Sequence, residues 1–214
     1  MAKTTIYLGT DPISFKTKNN IIHCPLIQII PRNFEDAEIK SAMVDIPLYT
    51  HIVFTSKNSV EVFFQCLKYY KFSFEDIKDK QIISIGKATA SKLQREGVSS
   101  LLAEEETQEG VVKLLALRDI NKAYFFLPQS SRARSSILQF FMLRGIRHQR
   151  CHLYDTTPKI PTLLPKIEEA DEIVFTSPST VDAFIQAYGS IPKDKKLTSI
   201  GPITQSKLLS TTYG

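Results

Sequence analysis

The stretch HIVFTSKNSVEVF, residues 51–63, recurs 121 residues later as EIVFTSPSTVDAF, residues 172–184. A second pair follows in the same order, because SIGKATASKL at residues 84–93 matches SIGPITQSKL at residues 199–208, 115 residues later. Two collinear matches of this kind indicate an internal duplication. The sequence therefore predicts two related halves, roughly residues 1–120 and 121–214.

Each repeated motif has the pattern of a buried strand followed by a helix. The apolar run at residues 52–54 predicts a strand, and apolar residues at helical spacing predict a helix that begins near Lys57 or Asn58. Ser56 or Asn58 can cap this helix. In the second motif, Gly86 is the turn between a predicted strand and the next helix.

The same pattern occurs a third time, in the middle of the chain. Residues 123–127 predict a strand, Pro128-Gln129-Ser130 follow it, and a helix is predicted from about Ser131 to Arg144. Alternating strands and helices predict an α/β fold with parallel sheets. We expect nine or ten strands in two sheets of about five, with a loop at residues 11–20 in place of the first crossover helix.

The composition excludes several classes of protein. The chain has 214 residues, 43% hydrophobic and 23% charged, which is ordinary for one large or two small soluble domains. We find no apolar run long enough for a membrane span and no signal peptide. Three separated cysteines without a CxxC motif favour a reducing compartment over a disulfide framework or a zinc site. His148 and His152 lie on a predicted strand about 13 Å apart, too far to share a metal.

The net charge of +5 has two interpretations. The basic residues are spread along the chain, apart from one denser run that comprises Arg132, Arg134, Arg144, Arg147 and Arg150. This run could be a solvated helix face, or it could create a positive field that attracts an anionic ligand. The count of charges does not separate the two interpretations.

The predicted ends of the strands indicate where a ligand would bind, because open parallel sheets bind ligands beyond their carboxyl ends. Most residues there are small, neutral and hydroxyl-bearing: Thr55-Ser56, Gly86-Lys87, Pro128-Gln129, Tyr154-Asp155-Thr156, Thr176-Ser177 and Gly201-Pro202. Each is expected to precede a helix N-terminus, where free N–H groups and the helix dipole favour an anion. Because GxxxxGK[ST] and GxGxxG are both absent, several carboxylates fit this pattern better than a nucleotide.

Every candidate residue also has a purely structural interpretation. Ser56 and Ser177 could be plain helix caps, and Tyr154 could be an aromatic residue at the rim of the sheet. Asp155 could cap the turn before Pro158. Likewise, the threonines in the IGxxT motifs could be ordinary first-turn residues, and the glycines could be turn residues.

Six segments together resemble the uroporphyrinogen-III synthase family: IVFTSKNSV, SIGKATASKL, FFLPQSSRARSSILQFFMLRG, LYDTTP, IVFTSPSTV and SIGPITQSKL. They cover about residues 50–210, in the family's order. The resemblance implies two similar α/β lobes with parallel sheets flanked by helices, joined by a two-stranded linker, with the substrate in the cleft. Lobe one would comprise residues 1–32 plus 157–214 and lobe two residues 35–153, with strands Ile22–Ile30 and Arg147–Tyr154 leading into the crossings.

The sequence departs from the family's pattern at both ends of lobe one. Family members usually open with a strand ending in Thr-Arg-Pro and followed by a helix, whereas this chain reads Gly9-Thr10-Asp11-Pro12. Relatives also usually add a strand and a final helix after the segment that ends here at residue 214. We therefore expect a lobe one that is reduced at both termini.

The resemblance implies a cytoplasmic enzyme of haem biosynthesis. It would be a cyclising, dehydrating carbon–oxygen lyase that converts hydroxymethylbilane to uroporphyrinogen III with inversion of ring D. Its partner would be this polycarboxylate substrate alone, with no metal or other cofactor, no nucleic acid and no membrane. We expect a monomer, with a dimer as the open alternative. A non-catalytic two-lobed protein that binds an anionic metabolite remains the alternative function.

The resemblance also assigns candidate site residues. Tyr154 would be the catalytic residue, whose phenol hydrogen-bonds the departing hydroxyl and either acts as a general acid or positions it. Thr89 and Thr204 would face the cleft. The residues after the two FTS strands are candidate carboxylate binders: Ser56, Lys57, Asn58, Ser177 and Ser179. Gly86, Lys87 and Gly201 are candidates to bind substrate through backbone N–H groups.

Overall fold

The computed structural model describes residues 3–13 and 15–213, and it alternates strands with helices. The strands are β1 Thr4–Tyr7, β2 Asn20–His23, β3 Ile27–Pro31, β4 His51–Phe54, β5 Gln81–Ser84, β6 Leu101–Leu102, β7 Tyr124–Ser130, β8 Arg147–Pro158, β9 Glu172–Phe175 and β10 Lys196–Ser199. The helices are α1 Ala37–Val44, α2 Lys57–Tyr69, α3 Lys87–Arg95, α4 Gln108–Ala116, α5 Ser136–Leu143, α6 Pro178–Tyr188 and α7 Pro202–Tyr213. No helix in this part of the chain has both the length and the apolar character needed to cross a membrane.

The chain forms two compact units. Unit 1 comprises the residues up to 29 and those from 156 onward, and unit 2 comprises residues 30–155. Unit 1 has a four-stranded sheet of order β10-β9-β1-β2, in which the neighbouring strands are parallel. The six-stranded sheet, of order β3-β8-β7-β4-β5-β6, lies mostly in unit 2, and its strands from β8 to β6 are parallel. The predicted α/β class with parallel sheets is confirmed, although the strands divide into four and six instead of two sets of five.

The two connections between the units are paired strands. Backbone hydrogen bonds join Arg32 N to Leu153 O and Lys159 N to Leu26 O, at 2.9 and 2.8 Å. The residue numbers rise along one segment, from 26 to 32, while those of their partners fall from 159 to 153. The strands β3 and β8 therefore run antiparallel. The chain therefore enters and leaves unit 2 on adjacent strands, which form the predicted two-stranded linker.

Both sheets are covered by apolar side chains. In unit 1, Ile6 on β1, Phe175 on β9 and Phe184 on α6 lie in one buried cluster. In unit 2, Phe125 and Phe126 are consecutive on β7 and point to opposite faces, so each faces a different helix layer. The Phe125 ring contacts Phe141 of α5 at 4.5 Å, and the Phe126 ring contacts Phe63 of α2 at 6.0 Å. Burial of each such ring contributes about 1.5–3 kcal/mol to stability.

The strand register supports the duplication that the sequence predicts. Phe54 on β4 pairs with Ser84 on β5, and the equivalent Phe175 on β9 pairs with Ser199 on β10. The following helices also pack in pairs, α2 on α3 and α6 on α7. Each unit thus contains one copy of the same β-α-β-α element, with equivalent residues paired.

The single strand predicted over Ile22–Ile30 is wrong. It is divided into β2 and β3, which belong to different sheets. Pro25 lies between them, and because it has no N–H group it cannot donate to a strand ladder. The chain changes partner at this point, from β1 to β8.

Two predicted strand ends are also wrong. Pro128 and Gln129 lie inside β7, so the next helix begins at Ser136 instead of Ser131. Tyr154 likewise lies inside β8, which runs on to Pro158. Neither segment leads directly into a helix, and only four of the six predicted strand ends do so. By contrast, the described residues between positions 11 and 20 contain no helix, as predicted.

Candidate active site

Four turns place helix N-termini at the carboxyl ends of neighbouring strands, two in each unit. They are the FTS turns, residues 54–56 and 175–177, and the IG turns, residues 85–86 and 200–201. In unit 2, Ser56 is the N-cap of α2, and its Oγ accepts a hydrogen bond of 3.0 Å from the Ser59 N–H. The Ser59 hydroxyl in turn donates to Ser56 O at 2.7 Å. Lys57 and Asn58 are the first two residues of α2, and both are partly exposed. The capping interpretation of Ser56 is therefore correct.

Tyr154 reaches this turn from β8, across the end of β7. Its phenol oxygen lies 2.8 Å from Ser56 Oγ, and the residue is only 3% exposed. A β-bulge aims the side chain: Gln129 pairs with His152 and Ser130 pairs with Tyr154, which leaves one extra residue on β8. Sequence spacing does not reveal this bulge.

The electrostatic environment keeps the Tyr154 phenol neutral. Burial raises its pKa to about 12, and the hydrogen bond with Ser56 acts in the opposite direction. The phenol is therefore protonated at neutral pH and can donate a hydrogen bond. This protonation state is the one that a general acid needs.

The backbone beside Tyr154 is held by a polar cluster that the sequence interpretation missed. Arg32 binds Asp155 through two hydrogen bonds, of 3.0 and 3.2 Å, and Ser131 Oγ donates to the same carboxylate. The hydrogen bond from Arg32 is the main cause that lowers the pKa of Asp155. The Ser131 N–H also donates to Tyr154 O at 3.1 Å. Asp155 thus acts as an ion-pair partner and not as a turn cap.

The neighbouring IG turn of unit 2 presents backbone N–H groups. Gly86 is the N-cap of α3 and supplies no side chain to cap it, so the first N–H groups of the helix are not used by a cap. Lys87 is the first helical residue and is exposed, whereas Thr89 is only 3% exposed. Such a helix start favours an anion.

An acidic side chain of the protein itself lies beside this helix start. Glu106 is exposed, and a Cβ placed on Gly86 would lie 2.3 Å from its Oε2. Its carboxylate therefore packs directly against the glycine. Sequence patterns do not single out Glu106, because its position beside Gly86 depends on β6, a strand of only two residues.

Unit 1 contains the equivalent turns. Ser177 caps α6 in a capping box with Thr180, and Ser179 lies in the first turn of this helix. Gly201 precedes α7 with a φ of +85°, a conformation that favours glycine. Thr204 in the first turn of α7 is only 3% exposed, as Thr89 is. The four predicted residues Ser177, Ser179, Gly201 and Thr204 therefore share one edge of the unit 1 sheet.

The basic run is partly structural. Arg134 forms a two-point ion pair with Glu109, at 2.7 and 3.1 Å. Arg147 lies 3.8 Å from the centre of the Tyr124 ring, and Arg144 lies 5.8 Å from the centre of the Phe140 ring. Arg134, Arg144 and Arg147 thus have partners within unit 2.

The described residues, 3–13 and 15–213, contain no group of three or more His, Cys, Asp or Glu side chains arranged to hold a metal ion. All three cysteines are free thiols and buried. The sites that the structure does present are hydroxyls, amide N–H groups and one phenol. These groups can bind carboxylates and donate a proton, but they do not form a nucleophilic triad.

Comparison with known proteins agrees with this geometry. Residues 18–212 match the family profile described as uroporphyrinogen-III synthase HemD. The porphyrin biosynthesis protein HemD of Ruminiclostridium josui is 26% identical over 200 residues, which cover 90% of this chain and 37% of that protein. The chain thus spans little more than a third of the length of this relative.

Solved structures with the same fold are uroporphyrinogen III synthases. A mutant enzyme from Thermus thermophilus superposes with a TM-score of 0.65 at 14% identity, covering 98% of this chain and 89% of that one. The Helicobacter pylori enzyme superposes with a TM-score of 0.64 at 19% identity and the same coverage. At these identities the superpositions establish the fold, and the profile match over residues 18–212 establishes the family. The chain belongs to the uroporphyrinogen-III synthase family.

Proposed function

We propose that this protein converts hydroxymethylbilane to uroporphyrinogen III, as a cofactor-independent, cyclising carbon–oxygen lyase of haem biosynthesis. Family membership supports this function. The observation that carries it is the buried, neutral phenol of Tyr154, held 2.8 Å from Ser56 Oγ beside the N-terminus of α2. A helix start that attracts carboxylates thus lies beside a group that can protonate a leaving hydroxyl.

The proposed reaction begins when the Tyr154 phenol donates a hydrogen bond to the terminal hydroxyl of the substrate. The phenol proton passes to this oxygen as the carbon–oxygen bond breaks, so that water leaves, a phenolate forms and an azafulvene-like cation remains. The terminal pyrrole attacks through its substituted carbon, and the resulting spiro intermediate rearranges to invert ring D. Loss of a ring proton on closure returns one proton to the phenolate through solvent, so that the net change is the release of one water.

Binding of the substrate carboxylates is assigned to the turns of the two units. The hydroxyl and amide groups of the FTS and IG turns suit many carboxylates of one flexible substrate, since each turn offers hydrogen bonds without a fixed counter-charge. The candidate binders are Lys57, Asn58, Gly86, Lys87, Thr89, Ser177, Ser179, Gly201 and Thr204. Their shared task is to favour attack at the substituted carbon by holding the chain ends in position.

We also propose that the protein acts as a monomer in the cytoplasm. The three free, buried thiols support a reducing compartment. Size-exclusion chromatography with light scattering at about micromolar protein concentration would measure the mass in solution. A single species of twice the chain mass would replace the monomer with the dimer.

The test of the function is a product analysis. The protein is supplied with freshly generated hydroxymethylbilane, and the type I and type III macrocycles are separated by chromatography. We expect type III to dominate in the presence of the protein and type I to dominate without it. A product ratio equal to that of the protein-free control would refute the activity and leave anionic-ligand binding as the function.

The Tyr154→Phe variant tests the assigned acid. Removal of a general acid typically slows a reaction by about 100-fold or more, so kcat for type III formation should fall by about that factor. Far-ultraviolet circular dichroism of the variant should match the wild-type protein. Full activity in the folded variant would exclude Tyr154 as the acid.

A further inference from the structure

The two FTS turns have nearly the same geometry. Ser56 has φ −163° and ψ 157°, and Ser177 has φ −162° and ψ 162°. Each Oγ accepts a hydrogen bond from the N–H group three residues later, at 3.0 Å from Ser59 and 3.3 Å from Thr180. Helix capping alone therefore explains a serine at both positions.

One contact distinguishes the two serines. Ser56 Oγ has a second partner, the Tyr154 phenol at 2.8 Å. For Ser177 Oγ, the described residues provide no partner beyond the cap itself. Since capping does not require a tyrosine, the bond between Ser56 and Tyr154 needs a separate explanation.

The count of protons at Ser56 allows its hydroxyl to donate this bond. The Oγ atom already accepts a hydrogen from the Ser59 N–H, and its own hydrogen remains available to donate. If Ser56 donates to the phenol oxygen, the phenol hydrogen is free to point away from Ser56. The backbone of Tyr154 is fixed independently, because its carbonyl accepts from the Ser131 N–H at 3.1 Å. The Ser56 bond then determines where the phenol proton points.

We propose that Ser56 is a positioning residue that donates to Tyr154 and directs the phenol proton toward the departing hydroxyl, and that it does not bind a substrate carboxylate. This inference rests on the proposed function. It replaces the role that the sequence suggested for Ser56. The hydrogen bond with Ser56 also lowers the pKa of Tyr154 against the effect of burial, as a donor to the phenol oxygen should.

The Ser56→Gly variant separates the bond from the cap. Glycine at an N-cap costs only a few tenths of a kcal/mol relative to serine, and Gly86 already occupies this position of α3 with φ −168° and ψ 173°. Ser177→Gly removes the equivalent cap of α6 and leaves the hydrogen bond between Ser56 and Tyr154 in place. Urea denaturation should therefore show similar, small losses of stability in both variants.

A spectroscopic measurement tests the contact without relying on turnover. In protein labelled with ¹³Cζ-tyrosine, the Tyr154 signal is the one that is lost in Tyr154→Phe. Ser56→Gly should shift this signal, whereas Ser177→Gly should leave it in place. The Ser56→Thr variant keeps a hydroxyl and should restore the position of the signal. An unshifted signal in Ser56→Gly would overturn the inference.

Kinetics test the role. We expect Ser56→Gly to lower kcat by about tenfold, the loss of one oriented hydrogen bond, with KM changed less than about twofold. In the Tyr154→Phe background, Ser56→Gly should have no further effect on kcat, because the group that it positions is absent.

Three outcomes would contradict the proposal in distinguishable ways. A raised KM with unchanged kcat would make Ser56 a carboxylate binder. An equal loss of kcat with and without the Tyr154 phenol would show that Ser56 acts independently of it. A wild-type protein that yields no excess of the type III product would overturn the proposed function together with this role.

Discussion

Glu172 holds a carboxylate at a buried position, 5% exposed, at the start of β9. Its oxygens accept hydrogen bonds from Thr198 at 2.5 Å and from Thr5 and Asn19 at 3.2 Å, and Lys196 Nζ lies 2.9 Å away. Burial alone would raise the pKa of Glu172, but the hydrogen bonds from Thr198 and Lys196 outweigh it and the pKa is lowered. The residue joins β1, β9 and β10 at the edge of the unit 1 sheet opposite to the FTS and IG turns.

This cluster predicts a pH-dependent loss of stability in Glu172→Gln. A charge-assisted hydrogen bond contributes about 1.5–3 kcal/mol, so the variant should lose about 2 kcal/mol at pH 7. Because the folded pKa is depressed, this contribution is complete above the ordinary carboxyl pKa of 4.5 and is lost as the pH falls below it. The difference from wild type in urea denaturation should therefore shrink at about pH 3.5.

A matched control comes from Glu169, whose side chain is 65% exposed and pairs with Lys166 at 3.6 Å. Glu169→Gln should change stability by less than about 1 kcal/mol, as expected for an exposed ion pair. If the deficit of Glu172→Gln were the same at both pH values, the carboxylate charge would not be the cause.

At the scale of elements, the two IG turns differ in backbone conformation although their sequences match. Gly86 is extended, with φ −168°, whereas Gly201 has φ +85°. A Cβ on Gly201 would meet no atom within 4 Å, so any cost of a side chain there comes from the backbone alone. The three atoms nearest to a Cβ on Gly86 all belong to the flexible, exposed side chain of Glu106.

The difference in φ between the two glycines predicts that Gly201→Ala destabilises the protein more than Gly86→Ala does. Alanine in the left-handed region costs about 1–2 kcal/mol, while alanine in the extended region carries no such strain. We expect a difference of about 1 kcal/mol in the free energy of unfolding, measured by urea denaturation. Equal values for the two variants would mean that the turn before α7 relaxes without cost.

The limits of sequence prediction are also visible at this scale. The strand β7 continues through Pro128, which usually ends a strand. It pairs with β4 only at Phe125 and Phe126, whereas it pairs with β8 as far as Ser130. From Pro128 onward the strand thus has a neighbour on one side only, and a missing N–H on the other side removes no hydrogen bond. This arrangement depends on the lengths of the neighbouring strands and cannot be read from the local sequence.

For the whole molecule, the duplication was the predictable part. Phe54 and Phe175 have equivalent ladder partners, Ser84 and Ser199, because both copies keep the two repeated strands. The unequal sheets were not predictable, because β3 and β8 are single segments without a repeated counterpart. Their pairing is a contact between residues more than 100 positions apart, such as Arg32 and Leu153.

The candidate site also has a part that local sequence predicts and a part that depends on long-range contacts. The Ser56 and Ser177 caps follow from local preferences of the helix start, and the sequence identifies them as possible caps. The Tyr154 contact with Ser56 depends on a bulge between β7 and β8, and the position of Glu106 beside Gly86 depends on a short edge strand. Both are long-range contacts, and periodicity and spacing do not encode them.

The net charge of +5 leads to a prediction for the whole protein and its polycarboxylate substrate. A positive field attracts an anion over several ångströms, and salt screens it, since the Debye length falls from about 10 Å at 0.1 M to about 3 Å at 1 M. The proposed chemistry instead depends on a hydrogen bond at contact distance, which salt screens little.

We therefore expect KM to rise severalfold between about 0.05 and 0.5 M potassium chloride, while kcat changes less than about twofold. Initial rates of type III formation over a range of substrate concentrations measure both constants, and thermal unfolding at each salt concentration controls for loss of folded protein. A constant KM across this range would show that substrate capture depends on short hydrogen bonds alone and that the excess of positive charge has no part in it.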